Sequence, residues 1–136
     1  MNFIIKSILG TLVLSEASYA SLCLKAIEKA DLELSAASRY SSEAYELWEL
    51  GFNESKKEKP NNNIICQSFS GSIENYLESS YYYERCQTKY ISAEKSCSNE
   101  RNKKLARKRA EICGRNIEAS KENASIIEED FSKYCF

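Results

Sequence analysis

The residues best equipped for chemistry are six cysteines, at 23, 66, 86, 97, 113 and 135, in a chain that contains no histidine. Two chemistries are open to them, metal ligation and disulfide formation. No two lie closer than eleven residues, so the C-x-x-C pairs of a zinc or iron–sulfur site are missing, and neither a metal nor another cofactor is expected. An even number of thiols in an exported chain points instead to three disulfides. The lack of histidine also removes the commonest general base and the His-activated nucleophiles. Glu43, Glu46 and Glu49 share one helix face, but charged helix faces are normally just solvated. With no glycine-rich phosphate loop and every thiol consumed, the expectation is a protein that is not an enzyme.

Export is read from the first twenty residues, MNFIIKSILGTLVLSEASYA. Lys6 precedes an apolar run from Ile8 to Leu14, and small residues, Ser18 and Ala20, stand where a signal peptidase reads. The run is too short to span a bilayer. Residues 1–20 are therefore expected to be a leader and residues 21–136 one domain, exported to the periplasm or secreted. Composition rich in Asn, Ile, Lys and Ser leans towards a bacterial source. The net charge is −1 over the whole chain, which offers no global basic excess for nucleic acid. Asn53-Glu-Ser and Asn123-Ala-Ser fit a glycosylation acceptor pattern that matters only in a eukaryote.

The elements that must position these side chains are helices. One proline and four glycines leave the chain almost unpunctuated. Cys23, Ile27, Ala30, Leu34, Ala37, Ser41, Ala44 and Trp48 recur at steps of four and three, a seam of small residues that lets a partner helix come close. Gly51 is expected to end this first helix, and NESKKEKPNNN, 53–63, to be a long linker. A second segment, about 64–97, repeats at seven through Phe69, Tyr76, Tyr83, Tyr90 and Cys97. A third steps through Ala106, Ala110, Cys113, Ile117, Ser120, Ala124, Ile127 and Phe131, after a cap at Ser98 or Asn99. Alternating apolar and polar residues are absent, so no strand is expected. The fold class is all-α, an antiparallel up-down-up three-helix bundle.

Helical geometry then selects the disulfides. Cys66, Cys86 and Cys97 ride on one helix, where even eleven residues separate two Cα atoms by about 16 Å, far beyond the roughly 7 Å limit of a bridge. Cys113 and Cys135 exclude each other likewise, so each cysteine of the second segment needs a partner elsewhere. Folding the third segment back about residue 98 or 99 levels Cys86 with Cys113 and Cys66 with Cys135. Folding the second segment back about residue 57 brings Cys97 near Cys23, with slack taken up by the linker. The expected bridges are Cys23–Cys97, Cys66–Cys135 and Cys86–Cys113. Cys66 is the awkward member, about 160° around the helix from Cys86.

Two surface features remain as candidate partner sites. In ENYLESSYYYERCQTKY, 74–90, three adjacent tyrosines cannot all face one neighbour. Tyr83 belongs to the seam, Tyr82 is expected to lean on the third helix, and Tyr81 to point outward one turn after Leu77, flanked by Glu78 and Arg85. RNKKLARKR, 101–109, opens the third helix with six basic residues, Arg101, Lys103, Lys104, Arg107, Lys108 and Arg109. That charge runs against the helix dipole. Leu77, Tyr81 and the basic segment suit a protein partner, as an inhibitor or adaptor would. The alternatives are an effector that adheres to an anionic membrane or cell-wall polymer through 101–109, and a structural envelope component. Sequence leaves the oligomeric state open.

Overall fold

The computed structural model describes the backbone from Asn2 to Phe136 and the side chains from Ala20 onward. Side chains of the expected leader up to residue 19 lie outside the described residues. The chain forms helix α1 (Asn2–Ser55), helix α2 (Asn62–Ser96) and helix α3 (Glu100–Tyr134). They run up, down and up. Helix α2 is the shared rod, packed along both neighbours, while α1 and α3 touch each other at few places. Among the described residues no helix is long and apolar enough to cross a membrane.

The steps of three, four and seven found in the sequence are the packing lines. Phe69, Tyr76, Tyr83, Tyr90 and Cys97 are all buried along α2. Along α3 the buried line runs from Ala106 to Ile127, with Phe131 half-buried. On α1, Cys23, Ile27, Ala30, Ala37 and Ala44 are buried, and Trp48 packs half-buried against the far end of the core. Alanine on α1 and serine on α2 hold the interhelical gap narrow enough for side chain to meet backbone. The Ser72 hydroxyl donates to the Ala44 carbonyl at 2.6 Å and the Ser79 hydroxyl to the Ala37 carbonyl at 2.9 Å. Ser79 also meets Ser41 of α1 and, at 3.4 Å, Ser120 of α3. This polar belt divides the core into two apolar clusters, one around Tyr83, Tyr90 and the Cys86–Cys113 bridge, the other around Phe69, Tyr76 and Ile127. Among the described residues no fully buried side-chain oxygen or nitrogen lacks a partner, as burial away from water requires.

All three expected disulfides are present, with Cα–Cα separations of 4.9 Å for Cys23–Cys97, 5.7 Å for Cys66–Cys135 and 6.2 Å for Cys86–Cys113. No cysteine is free. Such a set belongs to an oxidising environment. Cys66 lies within the first turns of regular α2, and the adjustment that lets it bond comes from the other side. Cys135 follows the last residue of α3 as its C-cap, with non-helical backbone.

Both second and third helices start at an asparagine. The Asn99 side chain accepts from the Arg101 and Asn102 N–H groups, as expected, and Asn61 accepts from those of Asn63 and Ile64. The first connection differs from expectation. Helix α1 does not stop at Gly51 but continues to Ser55, leaving only residues 56–61 as the link. Gly51 has no left-handed backbone to offer as a cap. A Cβ there would lie 2.8 Å from two ring atoms of Phe69, so glycine serves the close approach of α2. Glu54 extends the order beyond it: the carboxylate, buried in the turn, pairs with Lys57 and accepts from the Asn61 N–H at 3.1 Å. The turn is consequently centred near residue 59, two residues later than expected, which removes the slack invoked for Cys23–Cys97.

Tyr82 also departs from expectation. Its ring stacks on Tyr40 of α1, with centroids 5.3 Å apart, rather than leaning on α3. Cys86 faces the interior line between both neighbours, and the position 40° to its side belongs to the flank that Arg85 and Lys89 share with α1.

Candidate interaction surfaces

Leu77 and Tyr81 are placed as the helical spacing required, 48% and 49% exposed on one ridge of α2. The surroundings of Tyr81 are more ordered than its exposure suggests. Arg85 donates to the Tyr81 hydroxyl at 3.1 Å, and its guanidinium lies 5.5 Å from the ring centroid. Arg85 is itself fixed, with two N–H groups on the two carboxylate oxygens of Glu33 in α1, at 3.1 and 2.8 Å. Lys89 joins the same carboxylate. Tyr81 meets Tyr82 edge-on at 5.3 Å, Tyr82 stacks on Tyr40, and the guanidinium of Arg39 lies 4.9 Å from the Tyr40 centroid. The result is a ledge of tyrosine and arginine that crosses from α2 to α1. Only its Leu77–Tyr81 corner could be read from one helix, because the rest depends on which residues of α1 stand level with it.

The basic segment is divided by the fold. Arg107 reaches back to Glu94 of α2 at 2.6 Å, Arg109 crosses to Asp31 of α1 at 2.7 Å, and Lys103 lies 3.7 Å from Glu100. Asp31 also accepts from the hydroxyl of Tyr90, so one carboxylate joins all three helices. Burial, with Asp31 beside it, pushes the Tyr90 hydroxyl well above the usual tyrosine range. Arg101, Lys104 and Lys108 make no ion pair among the described residues. Where α3 begins, Lys25 and Lys29 of α1 and Lys95 of α2 line an open hollow of about 990 Å³ with Leu22, Ser98 and Asn99.

A third feature went unread in the sequence. Where α1 and α3 stand apart, Tyr45, Trp48, Tyr76, Asn123, Ile126 and Ile127 line a cleft of about 340 Å³. Tyr45 and Ile126 are half exposed on its walls, and burial raises the pKa of the Tyr76 hydroxyl on its floor, Tyr45 adding to the shift. The signal that existed was the change along the first seam, from alanines to Tyr45 and Trp48. Glu43, Glu46 and Glu49 stand exposed. Among the described residues no group of three carboxylates or thiols is gathered closely enough to hold a metal ion.

Comparisons with protein-family models, curated proteins and solved structures found no match to this chain.

Proposed function

We propose that this is a small exported helical binding protein that presents a rigid face to a protein partner, as an inhibitor or adaptor does. The observation that carries the reading is the tyrosine–arginine ledge over Leu77, Tyr81, Tyr82 and Arg85. Leu77, Tyr81 and Arg85 are exposed and Tyr82 is half-buried, yet Tyr81 is already held by a guanidinium that Glu33 anchors to the next helix. Side chains ordered before contact lose little entropy on binding, and tyrosine and arginine are the residues that most often dominate an interface. The disulfide frame supports the same reading, since a clamped scaffold keeps the face in one shape. Three bridges also support export, to which the leader expected over residues 1–20 would direct the chain.

The test is affinity capture from envelope or culture fluid of the source cell with the intact oxidised protein as bait. A specific partner should be retained, and Tyr81→Ala or Leu77→Ala should weaken retention by tenfold or more, roughly the effect of losing an interface anchor, while thermal unfolding stays near wild type. Retention unchanged in both variants would remove the ledge from the reading.

A second reading is favoured by the end of the bundle where Lys25, Lys29 and Lys95 line one hollow and helix α3, which carries exposed Arg101, Lys104 and Lys108, begins. There the protein would adhere to an anionic membrane or cell-wall polymer. Binding to vesicles containing anionic lipid should then fade as salt rises; equal behaviour towards neutral and anionic vesicles would dismiss it.

A further inference from the structure

Helix α3 carries a pattern that its packing against α2 does not use. Beside the buried line, Leu105, Ile112, Ala119 and Ile126 follow one another at intervals of seven and form an apolar stripe. Leu105 is 37% and Ile126 51% exposed, because α1 and α3 stand apart along this side. One step further round lies a second stripe of the same period: Arg101, Lys108, Arg115, Glu122 and Glu129. All five are exposed. None of the five makes an ion pair among the described residues, although neighbouring Arg107, Arg109 and Lys121 all do. The charge changes sign once, from basic in the first half of the helix to acidic in the second.

A stripe of that kind is complementary to itself when reversed. We propose that α3 is the interface of a symmetric homodimer, in which the α3 helices of two copies lie antiparallel across a two-fold axis near Arg115. In such a pair, residues meet when their numbers add to a constant, and like stripes lie on the same side of the contact. At a constant of about 230, Arg101 faces Glu129 of the second copy and Lys108 faces Glu122. The same register sets Leu105 against Ile126 and Ile112 against Ala119. Each pairing occurs twice by symmetry, so four ion pairs flank an apolar strip formed by eight side chains. Arg115 meets its own counterpart at the axis, with Glu111 and Glu118 a turn to either side as countercharge. A shift of one heptad one way keeps four ion pairs, Lys108 with Glu129 and Arg115 with Glu122, but drops Arg101 and Leu105 from the contact, and the other way opposes Lys108 to Arg115, so the full length of both stripes is used only at the central register.

Sedimentation velocity of the oxidised protein at low and high micromolar concentration provides the test. The expected result is a dimer that dissociates on dilution and as salt rises. Arg101→Glu with Lys108→Glu turns four attractions into repulsions and should weaken the dimer by at least about a hundredfold. Adding Glu122→Lys and Glu129→Lys to that variant restores complementarity with reversed sign and should restore the dimer. All four side chains are exposed, so circular dichroism and a non-reducing gel verify that each variant still folds. A monomer at every concentration in low salt would overturn the proposal, as would a dimer indifferent to the double reversal or one that the fourfold variant fails to recover.

Discussion

Glu33 makes its own ionisation a condition of the α1–α2 contact. The Arg85 guanidinium, with Lys89 beside it, holds the carboxyl below its usual value of 4.5 despite partial burial. A carboxylate with a lowered pKa in the folded state contributes stability above its unfolded value and loses that contribution as pH falls through the folded one. Unfolding monitored by urea should therefore show stability declining as pH drops below about 4.5, where the unfolded carboxyl begins to take up protons. Glu33→Gln should cost about 1 kcal/mol at neutral pH, a modest figure because both cations are nearly half exposed. The same variant should flatten the acid limb of the profile; an unchanged limb would show that other carboxylates govern it. It should also loosen Tyr81, since Arg85 would keep the tyrosine hydroxyl but lose its anchor.

Two glycines inside helices distinguish tight packing from mere tolerance at the scale of the element. At Gly51 an added methyl meets the ring of buried Phe69 at 2.8 Å, and that ring has no open side to turn to. At Gly114 the obstacle is the amide end of Gln87, 2.6 Å away but on a flexible, half-exposed side chain. Alanine improves helix propensity at both by up to about 1 kcal/mol. Overpacking outweighs this at Gly51, so Gly51→Ala should lower stability by about 1–2 kcal/mol, whereas Gly114→Ala should raise it by several tenths. Thermal melts of the two variants should move in opposite directions.

The same helices show which kinds of information a sequence carries openly. Buried lines on α2 and α3 were readable because periodicity reports how one helix meets its neighbours. The bridges were readable because rigid rods exclude nearly every other pairing. Gly51 misled because a glycine near a polar stretch resembles a C-cap, and only the position of Phe69 reveals the close contact. Tyr82 was turned to the wrong neighbour because an angle measured from Cys86 does not say which flank belongs to α1. The cleft at Tyr45 and Trp48 and the anchoring of Arg85 on Glu33 depend on levels between helices, which the misplaced first turn had shifted.

For the molecule as a whole, the covalent frame carries much of the stability. Cys66–Cys135 closes 69 residues of sequence, and restricting an unfolded loop of that size is worth about 4 kcal/mol in the chain-entropy picture. Net stability of a domain this size is about 5–15 kcal/mol. Cys66→Ala with Cys135→Ala should therefore bring the urea midpoint down by a quarter or more while leaving the helical content intact. A loss below about 1 kcal/mol would mean that the aromatic end, where Phe69 meets Tyr134 and Phe131 meets Phe136, holds the chain without help.

The placement of Cys23–Cys97 has a consequence for the fate of the protein among proteases. Lys56 and Lys57 lie exposed in the connection between α1 and α2, open to enzymes that cut after lysine. A cut there severs the polypeptide but not the molecule, for α1 stays tied to the remainder through sulfur. The nicked product should migrate as one species until a reductant parts it into two, and it should keep its melting profile nearly intact. Digestion at this point thus converts a single chain into a stable two-chain form instead of destroying it.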